Sequence, residues 1–150
     1  MRQLYLSERI ATIISCLFIL LFTYAGVSKL IDFQNFRIQL GQSPLLSSFA
    51  TELSILVPLT ELLIIITLSV KYLRLAGLFA SYTLMVLFTA YIFILLHYSP
   101  YIPCSCGGIL EKMTWNQHLI FNLFFIFLAG AGIFIMPSGN AHFKSSGHAS

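Results

Sequence analysis

Hydrophobic positions in this chain do not alternate with polar ones. They accumulate in four blocks, at 10–30, 53–70, 75–96 and 118–136, each flanked by charges, prolines or polar residues. A helix needs about 20 apolar residues to cross a bilayer, and each block approaches that length. Within hydrocarbon a segment must satisfy its own backbone hydrogen bonds, so blocks of this kind are helices. The pattern predicts an all-α integral membrane protein, a four-transmembrane-helix bundle over 1–136 with a flexible, polar, Gly/Ser-rich tail over 137–150. Arg2 and Arg9 precede the first block as they would in a secretory signal. Its apolar core exceeds the roughly 7–15 residues of a signal h-region, and no A-x-A site follows, so a retained anchor is expected.

Residues 32–50 are too polar to cross. Phe33, Phe36 and Leu40 fall at i, i+3, i+7, with Asp32, Gln34, Asn35 and Arg37 around them. That spacing predicts a short interfacial helix between spans 1 and 2. The stretch Gly41-Gln42-Ser43-Pro44 ends it. Helices in lipid approach closely where side chains are small. Ala76/Ala80 and Gly77/Ser81 offer two such pairs on the third span, Ala25 and Gly26 serve the first, and Ala129 to Gly132 the fourth.

Composition agrees with the pattern. Charged residues make up 9% of the chain and hydrophobic ones 58%, with a mean hydropathy of +0.90. A water-soluble domain carries about 25% charged residues. The net charge of +3 is dispersed over loops, which excludes a nucleic-acid surface. Lysines and arginines instead report topology. Arg2, Arg9, Lys71, Arg74 and Lys144 fall on one face, against Lys29, Arg37 and Lys112 on the other, five against three. Both termini are therefore expected in the cytoplasm, and the loop between spans 3 and 4 outside, where disulfides persist.

That loop carries Cys104-Ser105-Cys106-Gly107-Gly108. Pro100 and Pro103 restrict the approach to it, and the two glycines permit a tight turn after it. Two sulfurs one residue apart close only a small, strained ring, and strained, exposed disulfides exchange readily. Three readings stand: a redox-active pair, an inert or permanently oxidised pair, and a metal site completed by His97 and His118. A staple of this spacing encloses almost no chain and stabilises little. Both histidines fall at span boundaries, and the spacing is not the usual C-x₂₋₄-C of zinc sites. No metal is expected. Cys16, inside the first block, reads as buried packing.

Glu61, in Val57-Pro58-Leu59-Thr60-Glu61-Leu62, lies deep in the second span. An ionisable group there marks function by default. It is expected to relay a proton or bind a polar cofactor group, or else to be a neutral carboxyl bonded to a neighbouring helix. Tyr24, Ser28 and Lys29, Tyr91, and Asn122 fall in the same half of their spans, so with Glu61 they are candidates to line a cofactor site. Taken alone, Lys29 reads as snorkelling to the interface. Tyr98, Tyr101 and Trp115 fit an interfacial aromatic belt.

The order of Tyr24-Ala25-Gly26-Val27-Ser28-Lys29-Leu30, Pro58-x-x-Glu61-Leu62, Cys104-x-Cys106-Gly107, then Trp115 with Asn122 resembles the MauE branch of the DoxX-like membrane proteins. The resemblance spans about 10–136. Gly108 stands where an aromatic commonly follows the first glycine, and Phe121 where an arginine often precedes the asparagine. The resemblance implies a bacterial inner-membrane protein of four helices, associated with methylamine utilisation and with maturation of a disulfide-rich partner. The function expected is thiol–disulfide redox chemistry on an extracytoplasmic thioredoxin-like or disulfide-containing partner. Cys104, Cys106 and Glu61 would be the catalytic residues, with Tyr24, Lys29, Tyr91 and Asn122 at the cofactor and a quinone as electron acceptor. Two rivals remain: a non-enzymatic membrane subunit that scaffolds a partner, and a small-solute permease with Glu61 on its path. Four spans without an obvious inverted repeat weigh against the permease.

Overall fold

The computed structural model describes residues 2–98 and 114–136. Cys104, Cys106 and the tail predicted over 137–150 lie outside the described residues. Among the described residues there are five α-helices: α1 (Arg2–Ile31), α2 (Phe33–Gln42), α3 (Ala50–Ser69), α4 (Arg74–Tyr98) and α5 (Trp115–Ile135), with a 3₁₀ turn at Ser47–Phe49 before α3. Among the described residues four segments are long and apolar enough to span a membrane: Tyr5–Ile31, Ser47–Ser69, Arg74–Tyr98 and Trp115–Ile135. No strand occurs among the described residues.

These helices overrun the apolar blocks for physical reasons. Hydrogen bonding does not stop where hydrophobicity does, so α1 continues through the polar residues before position 10. At the start of α5, the Thr114 hydroxyl accepts from the Gln117 N–H at 3.4 Å while the Thr114 N–H donates to Gln117 Oε1 at 3.0 Å. This capping box begins the helix at Trp115, three residues before the apolar block.

The spanning helices alternate in direction and form a ring, with α1 against α3, α3 against α4, α4 against α5, and α5 back against α1. Thus α3 and α5 stand at diagonal corners. The helix predicted between spans 1 and 2 is α2, and Phe36 and Leu40 on its apolar side are buried. It packs along α3.

An aromatic layer fills the centre. Phe18 stacks on Phe22 at 5.9 Å between centroids and meets Phe125 edge-on at 5.3 Å. Ile14, Ile64, Leu68, Leu78, Met85 and Ala129 complete the core. Side chains facing outward are equally apolar, as Leu20, Phe127 and Phe134 show. A helix that meets lipid on one side and protein on the other has no polar face to contrast with its buried one.

That lack of contrast misleads in two places. Ala76 and Ala80 face outward, whereas Gly77 and Ser81 supply the buried small face of α4. Cys16, expected as buried packing, is exposed on the outside of α1. Neighbouring positions alternate between interior and lipid every one or two residues, and the sequence does not mark which is which.

Gly77 has a specific reason to be glycine. A Cβ there would lie 2.9 Å from Leu68 Cδ2 and 3.0 Å from the Leu68 backbone nitrogen, closer than real contacts allow. The α3–α4 crossing depends on that missing atom, while a Cβ at Gly130 would meet nothing within 4 Å. Gly77→Ala is expected to destabilise the bundle by about 1–3 kcal/mol, overpacking outweighing the gain in helix propensity. Gly130→Ala should be neutral or slightly stabilising. Thermal unfolding of the two variants in detergent, side by side, checks the difference.

Candidate functional site

Lys29 lies in the last turn of α1, where a cation complements the helix dipole. The chain then breaks at Asp32 and resumes as α2, which covers the upper part of α3. In consequence the end of α1 meets α3 well below its first residue. Glu61 is eleven residues beyond Ala50, about 16 Å along the axis. There Lys29 Nζ donates to Glu61 Oε1 at 2.7 Å and to the Ala25 carbonyl at 3.2 Å. The Phe36 ring of α2 has its centroid 5.9 Å from the ammonium.

Lys29, read alone as a snorkelling side chain, turns inward instead. Its side chain is 11% exposed and that of Glu61 is wholly enclosed. The physical reason is that a carboxylate in the interior has no water, and the nearest cation is held one helix away. Glu61 is therefore bonded to a neighbouring helix, through an ion pair.

The pair leaves one oxygen unused. Glu61 Oε2 is buried and makes no hydrogen bond among the described residues. Gly26 faces this oxygen, and a Cβ at that position would stand 3.3 Å from it. Across the bundle Asn122, 3% exposed, presents an Nδ2 that likewise has no partner among the described residues. One turn before it on α5, His118 is half-buried. Sequence reasoning set His118 aside as a span-boundary residue. Its i−4 spacing from Asn122 was the available signal that both share a face.

The remaining candidates are distributed around this end of the bundle. Tyr91 donates its hydroxyl hydrogen to Ser43 Oγ at 2.9 Å, and Ser43 is fully buried at the turn after α2. Tyr24 is half-buried on α1. Thus the structure joins Lys29 to Glu61 directly, ties Tyr91 to the α2–α3 turn, and sets Asn122 in the interior at the corner diagonal to Glu61. His97 is exposed, stacks on Phe93 at 4.2 Å, and lies with Nδ1 3.0 Å from the Phe93 carbonyl. Among the described residues no three His, Cys, Asp or Glu side chains are grouped to hold a metal ion.

A buried pair is costly to break, because removal of one partner strands the other charge. Lys29→Met is expected to cost about 3 kcal/mol or more and to lower the yield of monodisperse protein from detergent. The double variant Lys29→Met/Glu61→Leu should recover most of that loss, since an apolar pair of similar volume replaces the ions. A Lys29→Met variant as stable as the parent would show that the pair contributes nothing.

The profile of the family described as Methylamine utilisation protein MauE matches residues 7–135. No curated protein and no solved structure matches the chain. The matched region runs from the first helix to the end of α5 and includes every residue of the site above. This chain belongs to the MauE family and is a multi-pass membrane protein.

Proposed function

We propose that this chain is a membrane thiol–disulfide redox protein that oxidises, and so matures, an extracytoplasmic thioredoxin-like or disulfide-containing partner. The family's description links the chain to methylamine utilisation. The observation that carries the reading is the enclosed Lys29–Glu61 pair with its spare oxygen. It lies towards the end of the bundle where α4 stops and α5 begins, the two helices that bracket Cys104-Ser105-Cys106 in sequence.

The chemistry proceeds in two balanced steps. A dithiol of the partner exchanges with the Cys104–Cys106 disulfide, leaving a disulfide in the partner and two thiols here. Reoxidation of Cys104 and Cys106 then releases two electrons and two protons, which a membrane quinone accepts as it becomes quinol. Glu61 serves as the proton relay in this scheme. Asn122 Nδ2, a donor without a partner, suits a carbonyl oxygen of the acceptor. Lys29 holds the relay in place, and Tyr24 and Tyr91 border the acceptor. Exchange needs accessible, activated sulfur, and an outward loop of both termini-in topology supplies the oxidising side.

Mass-resolved thiol trapping in native membranes tests the proposal. Cys104 and Cys106 are expected to cycle between dithiol and disulfide, with reoxidation on addition of a quinone analogue. Cys104→Ser/Cys106→Ser should abolish partner maturation without reducing the amount of protein in the membrane. Maturation that survives the double substitution would return the chain to a scaffold. Solute uptake that depends on Glu61 but not on the cysteines would make it a permease.

A further inference from the structure

Arg74 opens α4 at the end of the bundle away from the Lys29–Glu61 pair. Its Nη1 donates to Thr12 Oγ1 of α1 at 2.8 Å, and the Thr12 hydroxyl donates in turn to the Glu8 carbonyl at 2.8 Å. With its own hydrogen engaged, Thr12 offers the guanidinium only an acceptor, which fixes the contact. Arg74 Nε is enclosed and has no partner among the described residues. Nη2 has none there either, but it is not enclosed. Thr12 is exposed and heads the outward ridge of α1 that continues as Cys16 and Leu20, so the guanidinium sits against the lipid-facing side of the bundle.

Seventeen residues of α1 separate Thr12 from Lys29, about 26 Å of axis. A hydrocarbon core of about 30 Å centred between them has both cations at its borders. Lys29 is answered by Glu61 at 2.7 Å. Arg74 has no carboxylate within ion-pair distance among the described residues, because Glu8 pairs with Lys71 instead, at 3.4 Å. Charge at that depth is costly until an opposite charge meets it. A free arginine would snorkel to water, but the bond to Thr12 and the enclosed Nε hold this one to the bundle.

We infer that Arg74 binds the phosphate of an anionic phospholipid, with Thr12 positioning the guanidinium. The flat fork of arginine matches phosphate oxygens, and a lipid carries its phosphate to the edge of the hydrocarbon without leaving the membrane. Anionic headgroups are favoured over zwitterionic ones because the described charges at this end are Arg9, Lys71 and Arg74 against Glu8. Arg9 lies over the Tyr5 ring at 4.6 Å and donates to its hydroxyl at 3.0 Å, and Lys71 has Glu8. Among the described residues, Arg74 is the cation at this end with neither an aromatic nor an acidic partner. The site depends on the membrane-spanning fold alone and not on the thiol chemistry proposed above.

Native mass spectrometry of the full-length chain tests the site. The protein is released from micelles loaded with equal amounts of phosphatidylglycerol and phosphatidylcholine of the same acyl chains. Phosphatidylglycerol is expected to be retained about fivefold or more over phosphatidylcholine, the scale of one basic residue at an anionic surface. Arg74→Gln should remove most of that preference. Lys71→Gln should lower it by about twofold or less, because Glu8 already offsets that charge. Thr12→Val keeps the guanidinium but not its anchor, and should lower the preference about threefold with the yield of folded protein unchanged. Equal retention of the two lipids overturns the inference, as does an Arg74→Gln chain with the preference of the parent. Equal losses in Lys71→Gln and Arg74→Gln would also overturn it, since attraction would then be diffuse. Inorganic phosphate that strips the lipid from the parent would reassign the site to a soluble anion. Should Arg74→Gln fail to insert, Thr12→Val decides, and an unchanged preference there overturns the assignment.

Discussion

Charge in hydrocarbon must be answered by charge close by, and the Lys29–Glu61 pair imposes that requirement on the whole upper half of the bundle. Glu61 is sealed off, so α1 and α3 must keep a fixed stagger for Nζ and Oε1 to meet at 2.7 Å. Below the pair, the packing of Phe18, Phe22 and Phe125 sets the spacing of the helices by contact alone. Dispersion and small-residue approach hold that layer together, as at Gly77 against Leu68, because lipid offers no hydrophobic force between helices. The two regimes differ in tolerance. Apolar packing accepts substitution of similar volume, whereas the ion pair does not accept loss of one partner.

The stagger itself originates in α2. Since α1 ends at Ile31 and α2 runs from Phe33 to Gln42 alongside α3, the first spanning helix stops short of the top of its neighbour. Phe36 and Leu40 close the upper part of that groove, and Arg37 Nη2 reaches Thr51 Oγ1 at 3.3 Å near the start of α3. Tyr91 fastens the turn after α2 by its bond to Ser43. A helix that by composition belongs at an interface thus also roofs the polar interior.

Much of the architecture was legible in the chain, and the reasons are physical. Four spans follow from length and hydropathy, and α2 follows from the spacing of Phe33, Phe36 and Leu40, because water on one side creates contrast. Within the spans contrast disappears, and the outward placement of Cys16, Ala76 and Ala80 could not be read. Lys29 and Glu61 were each conspicuous as charges, but their partnership depends on axial stagger, which a linear pattern does not carry. The unpartnered state of Asn122 Nδ2 is equally a property of what surrounds it, not of its place in the sequence.

Thirty-two residues separate Lys29 from Glu61. As the chain emerges, the lysine reaches the membrane ahead of its carboxylate. The first segment therefore enters the bilayer, or waits at its edge, with an unanswered cation until α2 and more than half of α3 have followed. The ion pair can therefore close only once both of the first two spans are in place, and it latches them together.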